Sequence, residues 1–496
     1  MKSRPALLLV VHIFAICAFS AGALADEDLF ERVRHDPLLL RRFLEQMPKG
    51  GDLHNHLSGT VYGETYIRLA AADGLCIDTA ALSYVTCVKN SKTQVPASKA
   101  LKDTKLYTSI LDAMSMRQFR GTSDSGHDHF FATFPRFSAA TRNRLPEMLT
   151  DVVSRFANEN VDYVESLFGQ DLGAARKLGP RIKSGTPFPE MRDRLLKIGV
   201  ADAVKRSRAN IDAAEAGLRK NLKCGTAEAR PGCDSTIRYL FETHRAFSRE
   251  SLFAELLTGF ELATVDARVV GLNVVQPEDW YASMSGFDEL VQMFAYLRPL
   301  YPSVRVSMHA GELAPGLVTP EGMRHHIRDS VMIARAERIG HGVAIARERD
   351  ALALLRHMSE RSVAVEICLT SNDVILGVRG RDHPLSLYLR SGVPVVLATD
   401  DPGVSRGDMT TEWQRAVEEH DLSYEELKWL ARNSIEYSFL EGASLWADRN
   451  YESYAPPCEE DEESDDCRAF LDANAKARVQ LRLERRLQEF ERGDLR

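Results

Sequence analysis

Short apolar runs four to eight residues long recur along this chain, separated by longer stretches in which apolar residues return every three or four positions. The short runs predict buried strands and the longer stretches predict helices with one apolar face. Strand patterns fall at residues 52–57, 161–167, 237–242, 269–275, 304–308, 338–340, 363–369 and 393–398. Helical patterns lie between most of them, including 201–222, 251–263, 287–296 and 350–358. Strands that alternate with helices pair in parallel, and eight such units predict a closed (β/α)8 barrel of the TIM type, an α/β fold. Residues 28–47 predict helices broken near Asp36-Pro37, and the section from about Leu422 onward reads as a helical extension.

Two stretches stand outside the repeat. Residues 72–126 are polar and read as an irregular insertion, and residues 168–235 hold Gly, Pro and Lys before a long charged helix. The first 25 residues differ again. Lys2 and Arg4 precede an apolar run from Ala6 to Ala21, then Ala23-Leu24-Ala25 and the acids Asp26 and Glu27. That order predicts a secretory signal over 1–25, followed by one domain over 26–496 that is exported to the periplasm or outside the cell. No later run is long and apolar enough to predict a membrane span.

Cysteine usage agrees with export. Without Cys17, six of the remaining seven form close pairs: Cys76 with Cys87, Cys224 with Cys233, and Cys458 with Cys467. Three local disulfides are expected, the last closing the acidic loop 459–466, with Cys368 as a buried thiol. The formal charge of −8 falls to −10 without Lys2 and Arg4, which argues against nucleic acid as a partner.

The C-terminal ends of the strands carry the candidate chemistry, because a barrel gathers them at one mouth. They supply His54 and His56, then His309 with Glu312 just beyond, then His341, then Asp400-Asp401. Three imidazoles and a carboxylate suit a catalytic zinc. Other histidines read differently. His127-Asp128-His129 follows Gly121, Ser123, Ser125 and Gly126 and predicts a surface loop, while His325 and His326 predict solvated side chains.

Met47-Pro48-Lys49 with His54-Asn55-His56-Leu57, His309-Ala310-Gly311-Glu312, Arg338-Ile339-Gly340-His341-Gly342, Glu366-Ile367-Cys368-Leu369-Thr370-Ser371-Asn372, His383-Pro384 and Thr399-Asp400-Asp401-Pro402-Gly403 stand in the order of the adenosine deaminase family. The chain resembles that family over about residues 45–440, and its signal and insertions resemble the secreted growth-factor-related branch or its exported bacterial counterparts. The resemblance implies one Zn2+ on His54, His56, His309 and Asp400, with Glu312, His341 and Asp401 as catalytic residues. It implies a purine nucleoside substrate, adenosine or 2'-deoxyadenosine, contacted by Glu312 and Asp401, with Glu165 and His244 on the sugar.

Three positions depart from the pattern. In the run Asn273-Val274-Val275-Gln276-Pro277-Glu278, Gln276 stands where the family has a glycine whose backbone approaches the purine and Asn273 stands where it has an aspartate, while Ser58 stands where intracellular members have an aspartate. These departures leave another aminopurine as an alternative substrate, and a non-catalytic extracellular nucleoside-binding or signalling protein as an alternative of a different class.

Overall fold

A computed structural model describes residues 28–121, 124–171 and 173–493; the expected signal at 1–25 lies outside the described residues. Eight parallel strands form a single sheet in sequence order: β1 (Gly50–His56), β2 (Val161–Phe168), β3 (Thr236–His244), β4 (Val269–Val275), β5 (Arg305–Ala310), β6 (Arg338–His341), β7 (Ala364–Ile367) and β8 (Val395–Leu397). The sheet closes on itself just past β8, where His56 N donates to Asp400 O at 2.9 Å and Asp400 N donates to His54 O at 2.8 Å. This is the expected (β/α)8 barrel, and each expected strand is present within a few residues of its predicted bounds.

β-branched and apolar residues make most of these segments strands, β1 with Gly-Gly-Asp-Leu-His-Asn-His being the exception, and closure buries both of their faces. Every residue of β1, β6, β7 and β8 is buried. The surrounding helices follow the same logic. Helix Arg249–Val265 is apolar almost all round and is covered on most sides, and Ser248 caps it by accepting from Ser251 N. Helix Tyr424–Glu436, opened by a capping box of Ser423 and Glu426, closes the lower end of the barrel, where Gly51 N donates to Ser434 Oγ at 2.7 Å.

The stretch 72–126 is more regular than its polar sequence suggests. Cys76–Asp78 pairs antiparallel with Ser83–Val85 and with Gln94–Pro96, and helix Thr104–Ala113 follows. Strands three residues long carry too little periodicity to be read from sequence. The three expected disulfides, Cys76–Cys87, Cys224–Cys233 and Cys458–Cys467, are all formed, and Cys368 is free and buried. Among the described residues no helix is long and apolar enough to cross a membrane.

Candidate active site

β1 ends with alternate residues facing the barrel axis, so His54 and His56 project together. β5 brings His309 against them: the His309 Nε2 lies 3.0 Å from His54 Nε2 and 3.2 Å from His56 Nε2. Asp400 Oδ1 completes the group at 3.4 Å from His54 Nε2 and 3.2 Å from His56 Nε2. One ligand atom from each of the four lies within 4.8 Å of the others. Asp400 reaches this place from a left-handed backbone, φ +59°, and His341 does likewise at φ +66°. Such conformations cost a non-glycine residue energy and persist where the surroundings impose them.

The ring protons decide what this cluster can hold. His54 Nδ1 faces Glu366 Oε2 at 2.6 Å and His56 Nδ1 faces Glu242 Oε1 at 3.1 Å. His309 Nδ1 faces Asn273 Oδ1 at 2.7 Å, an oxygen identified because the His309 backbone N–H also donates to it. Burial works against ionisation of Glu366, but Arg338 and His54 outweigh it and hold the carboxyl at about 2. Each Nδ1 therefore donates, and in the neutral ring each Nε2 carries a lone pair. His309 Nε2 is thus crowded by two other ring nitrogens beside Asp400 Oδ1, a buried oxygen with no hydrogen-bond partner. Burial works against charging His54 and His56, but Asp400 and their acid partners outweigh it, raising His54 to about 9 and His56 well above its ordinary value. The crowded rings therefore repel one another whether as lone pairs or as charges. A divalent cation relieves that repulsion, so the donor set fits a metal of the nitrogen- and oxygen-liganded kind.

Acids and a fourth imidazole flank the cluster. Glu312 lies in the loop after β5, whose Gly311 N and Glu312 N donate to the Glu278 carboxylate at 3.0 and 2.8 Å. Burial, and then the neighbouring carboxylates Asp400 and Glu278, push the Glu312 carboxyl well above its ordinary range. His341 Nε2 is 3.8 Å from Glu312 Oε1, and burial brings that imidazole down to about 4. Asp401 is buried beside them, and burial followed by Asp400 pushes its carboxyl well up. A Cβ on Gly59 would fall 1.5 Å from Asp401 Oδ1, so only glycine fits there. Buried acids whose carboxyls are pushed above their ordinary range, next to a metal-binding set, are equipped for proton transfer.

Of these groups His56, His309, Glu312, Asp400 and Asp401 line a cavity of about 300 Å³, with His54 and His341 buried behind them. Its roof is helix Gly126–Phe137, which contributes Phe130, Phe131 and Phe134, and its side wall holds Trp280, Glu242 and His244. His127 Nε2, on the same helix, meets Asp279 Oδ1 at 2.9 Å and fastens the roof to the loop after β4. A larger cavity of about 1020 Å³ lies at the opposite end of the barrel, but His56, His309, Asp400 and the raised acids Glu312 and Asp401 face the smaller one.

Residues 201–445 match the adenosine deaminase family. The chain belongs to that family. It is 26% identical over 419 residues to an adenine deaminase of Cupriavidus taiwanensis, covering 84% of this chain and 94% of the relative. It is 37% identical over 191 residues to an aminodeoxyfutalosine deaminase of Streptomyces avermitilis, 37% of this chain and 50% of that one. The fold is similar to that of the N6-methyl-AMP deaminase of Arabidopsis thaliana, with a TM-score of 0.51 and 20% identity over 81% of this chain and 94% of the other. This protein is thus a metal-dependent deaminase of the hydrolase class.

Within the deaminase barrel the structure corrects several expectations. Glu165 does not reach the sugar side of the cavity. Its Oε2 accepts from Arg338 Nη2 at 2.6 Å, and its Oε1 accepts from Tyr163 Oη and Phe439 N, so it is a fully buried structural group. His244, by contrast, does line the cavity, with Nδ1 3.2 Å from Glu255 Oε2. His127 and His129 sit on the roof helix rather than in a loop; Ser125 caps that helix by accepting from Asp128 N. His326 is buried rather than solvated, stacked on Phe287, with Nδ1 2.5 Å from Glu278 Oε1. At the strand-4 departure Gln276 takes φ +82°, so the backbone keeps the left-handed turn a glycine would favour, and its Oε1 accepts from Ala246 N.

Sequence reasoning missed the residues that orient the deaminase histidines: Glu366, Glu242 and Asn273. A usable signal was present. Glu366 and Asn273 each interrupt an apolar strand, between Val365 and Ile367 and between Leu272 and Val274, where a polar side chain is buried only with a partner.

Proposed function

We propose that this deaminase hydrolyses the exocyclic amino group of adenosine or 2'-deoxyadenosine, yielding inosine or deoxyinosine and ammonia, with one zinc on His54, His56, His309 and Asp400. The observation that carries the reading is the convergence of three imidazole Nε2 atoms and an unpaired Asp400 oxygen beside the buried Glu312 carboxyl, which burial and its acid neighbours push upward. Zinc in that set supplies a Lewis acid that makes water nucleophilic near neutral pH. Glu312 holds the proton for the ring nitrogen beside the amino-bearing carbon, which makes that carbon electrophilic. Asp401 hydrogen-bonds the imidazole edge of the purine, and His341 orients the attacking oxygen and stabilises the charge that develops on it. The aromatic roof excludes water from the reacting face.

The cavity favours a nucleoside. Neither Arg nor Lys is among its described lining residues, so nothing there balances a phosphate. Glu242 and His244 at the side wall suit sugar hydroxyls, a role that Glu165 is too deeply committed to fill. The intact acid and ligand set gives no support to a non-catalytic nucleoside binder. Adenine or another aminopurine is the second reading, motivated by Gln276-Pro277 and by the adenine deaminase that matches over most of its length. Three disulfides and the signal-like segment 1–25 support export.

Ammonia release from adenosine, 2'-deoxyadenosine, adenine and adenosine monophosphate decides between these readings on metal-analysed protein. The nucleosides are expected to give the highest kcat/KM. Faster turnover of adenine or of the nucleotide would overturn the nucleoside assignment.

A further inference from the structure

Four histidines crowd the mouth of the barrel, yet only three join the ligand cluster. His341 is as close to His54 and His309 as the three ligand rings are to one another, with its ring centroid 5.0 Å from each. What separates it is the group behind its Nδ1. His54, His56 and His309 each face an oxygen there, whereas His341 Nδ1 faces the amide nitrogen of Asn372 at 3.0 Å.

The amide's orientation follows from a chain of hydrogen bonds that begins at the backbone. Leu385 N donates to His383 Nδ1 at 3.2 Å, and a backbone N–H can only donate. His383 Nδ1 is therefore an acceptor, and its proton sits on Nε2. That Nε2 lies 3.0 Å from Asn372 Oδ1, which accepts from it. Asn372 Nδ2 is left to donate to His341 Nδ1. Turning the amide over would require both ring nitrogens of His383 to accept, which no neutral imidazole can do. All four groups are buried, so water does not compete for these bonds.

We infer that Asn372 and His383 are positioning residues that hold His341 as the Nε2–H tautomer, a hydrogen-bond donor toward the reacting oxygen and not a base. The inference rests on the assignment of His341 to the reaction site and deepens it. Nε2 of His341 is buried and has no hydrogen-bond partner, as expected for a donor that waits for a ligand oxygen. A proton on that nitrogen also keeps His341 out of the metal set, since a ligating nitrogen must offer its lone pair. One residue type thus fills two roles, sorted by what stands behind each ring.

Neutron diffraction from crystals of the metal-loaded full chain in D2O reads the proton positions directly and needs no substrate. Deuterons are expected on Nε2 of His341 and on Nδ1 of His54, His56 and His309; a deuteron on Nδ1 of His341 overturns the inference. Asn372→Asp replaces the donor with an acceptor and should move the His341 proton to Nδ1. Its kcat should fall on the order of 100-fold, the cost of losing one aligned donor, with KM within about threefold and metal content unchanged. Wild-type kcat in folded, metal-loaded Asn372→Asp overturns the role. His383→Gln keeps a donor toward Asn372 Oδ1 and should retain roughly a third or more of kcat, whereas His383→Glu should follow Asn372→Asp. Equal losses in both His383 variants would mark a purely structural role and overturn the inference. An unexpected substrate alters none of the proton positions, so the two readings fail separately.

Discussion

His309 and Phe131 face the same cavity from opposite sides, and they are held by different means. His309 belongs to a floor in which His54, His56 and His309 are each tied to a polar partner, buried for His54 and His309 and partly buried for His56. His54 leads to Glu366, Glu366 to Arg338 at 2.6 Å, and Arg338 to Glu165 at 2.6 Å, a line of charges that runs through the barrel interior. Phe131 belongs to a roof helix that packs through aromatic contacts and is tied at its ends by His127 to Asp279, by His129 Nε2 to the carbonyls of Asp112 and Ser115, and by Arg136 Nη1 to Ala113 O. Breaking a link in a buried charge network leaves an uncompensated ion, whereas loosening an apolar roof loses contact area. The floor therefore answers chiefly to changes of charge, and the roof to changes of apolar shape.

Changes to the floor should have the largest effects. His309→Ala is expected to lose bound metal and reduce deamination to background, checked by elemental analysis beside ammonia release. Glu312→Gln keeps the metal and should lower kcat by about 10²–10⁴-fold, the usual worth of a positioned acid. If this variant stays active, Glu312 is not the proton donor.

Glu312 also sets a pH limit. Its carboxyl is raised by burial and by Asp400 and Glu278, so the acid form persists into a range where an ordinary carboxyl, titrating near about 4.3, has ionised. In the proposed role of Glu312 the protonated form is the active one, so kcat is expected to hold past the pH at which an ordinary carboxyl ionises and to fall on the alkaline side as Glu312 ionises. A kcat profile that instead rises through about pH 4 to a plateau with no alkaline fall would mean that Glu312 works as an ordinary carboxylate.

Glu165→Gln sharpens the comparison, because it removes a charge from the floor without touching the cavity. Stability should drop by about 3 kcal/mol as Arg338 loses a buried partner, with KM for the nucleoside unchanged. A rise in KM at unaltered stability would return Glu165 to the substrate. His127→Ala should have the smallest effect: loss of one roof fastening raises KM about fivefold and leaves kcat near wild type, measured by steady-state kinetics. A loss of kcat as large as that of Glu312→Gln would erase the distinction between floor and roof.

Much of the floor was legible in the linear chain. Alternation at 304–308 placed His309 at a strand end, and the spacing of His54 and His56 put both on one face. The partners were not legible in the same way. His54 and Glu366 are 312 residues apart, and His56 and Glu242 are 186 apart, so neither pairing leaves a local pattern. His326 was misread because charged neighbours suggested a solvated helix, while Phe287 and Glu278, brought from another strand-helix unit, bury it. Roof helix Gly126–Phe137 was hidden by the Gly and Ser residues before it, which cap the helix instead of extending a loop.

By itself the sequence determined the strand and helix alternation and the kind of chemistry available at the strand ends. It could do so because hydrophobic periodicity is local, and because a parallel barrel gathers every strand end at one mouth. Only the tertiary structure decided which nitrogen of each histidine bears a proton, that Glu165 serves Arg338 and not a sugar, and that His127 fastens a roof. Those outcomes depend on which polar group is buried against which, a property of contacts between distant segments that no stretch of chain carries alone.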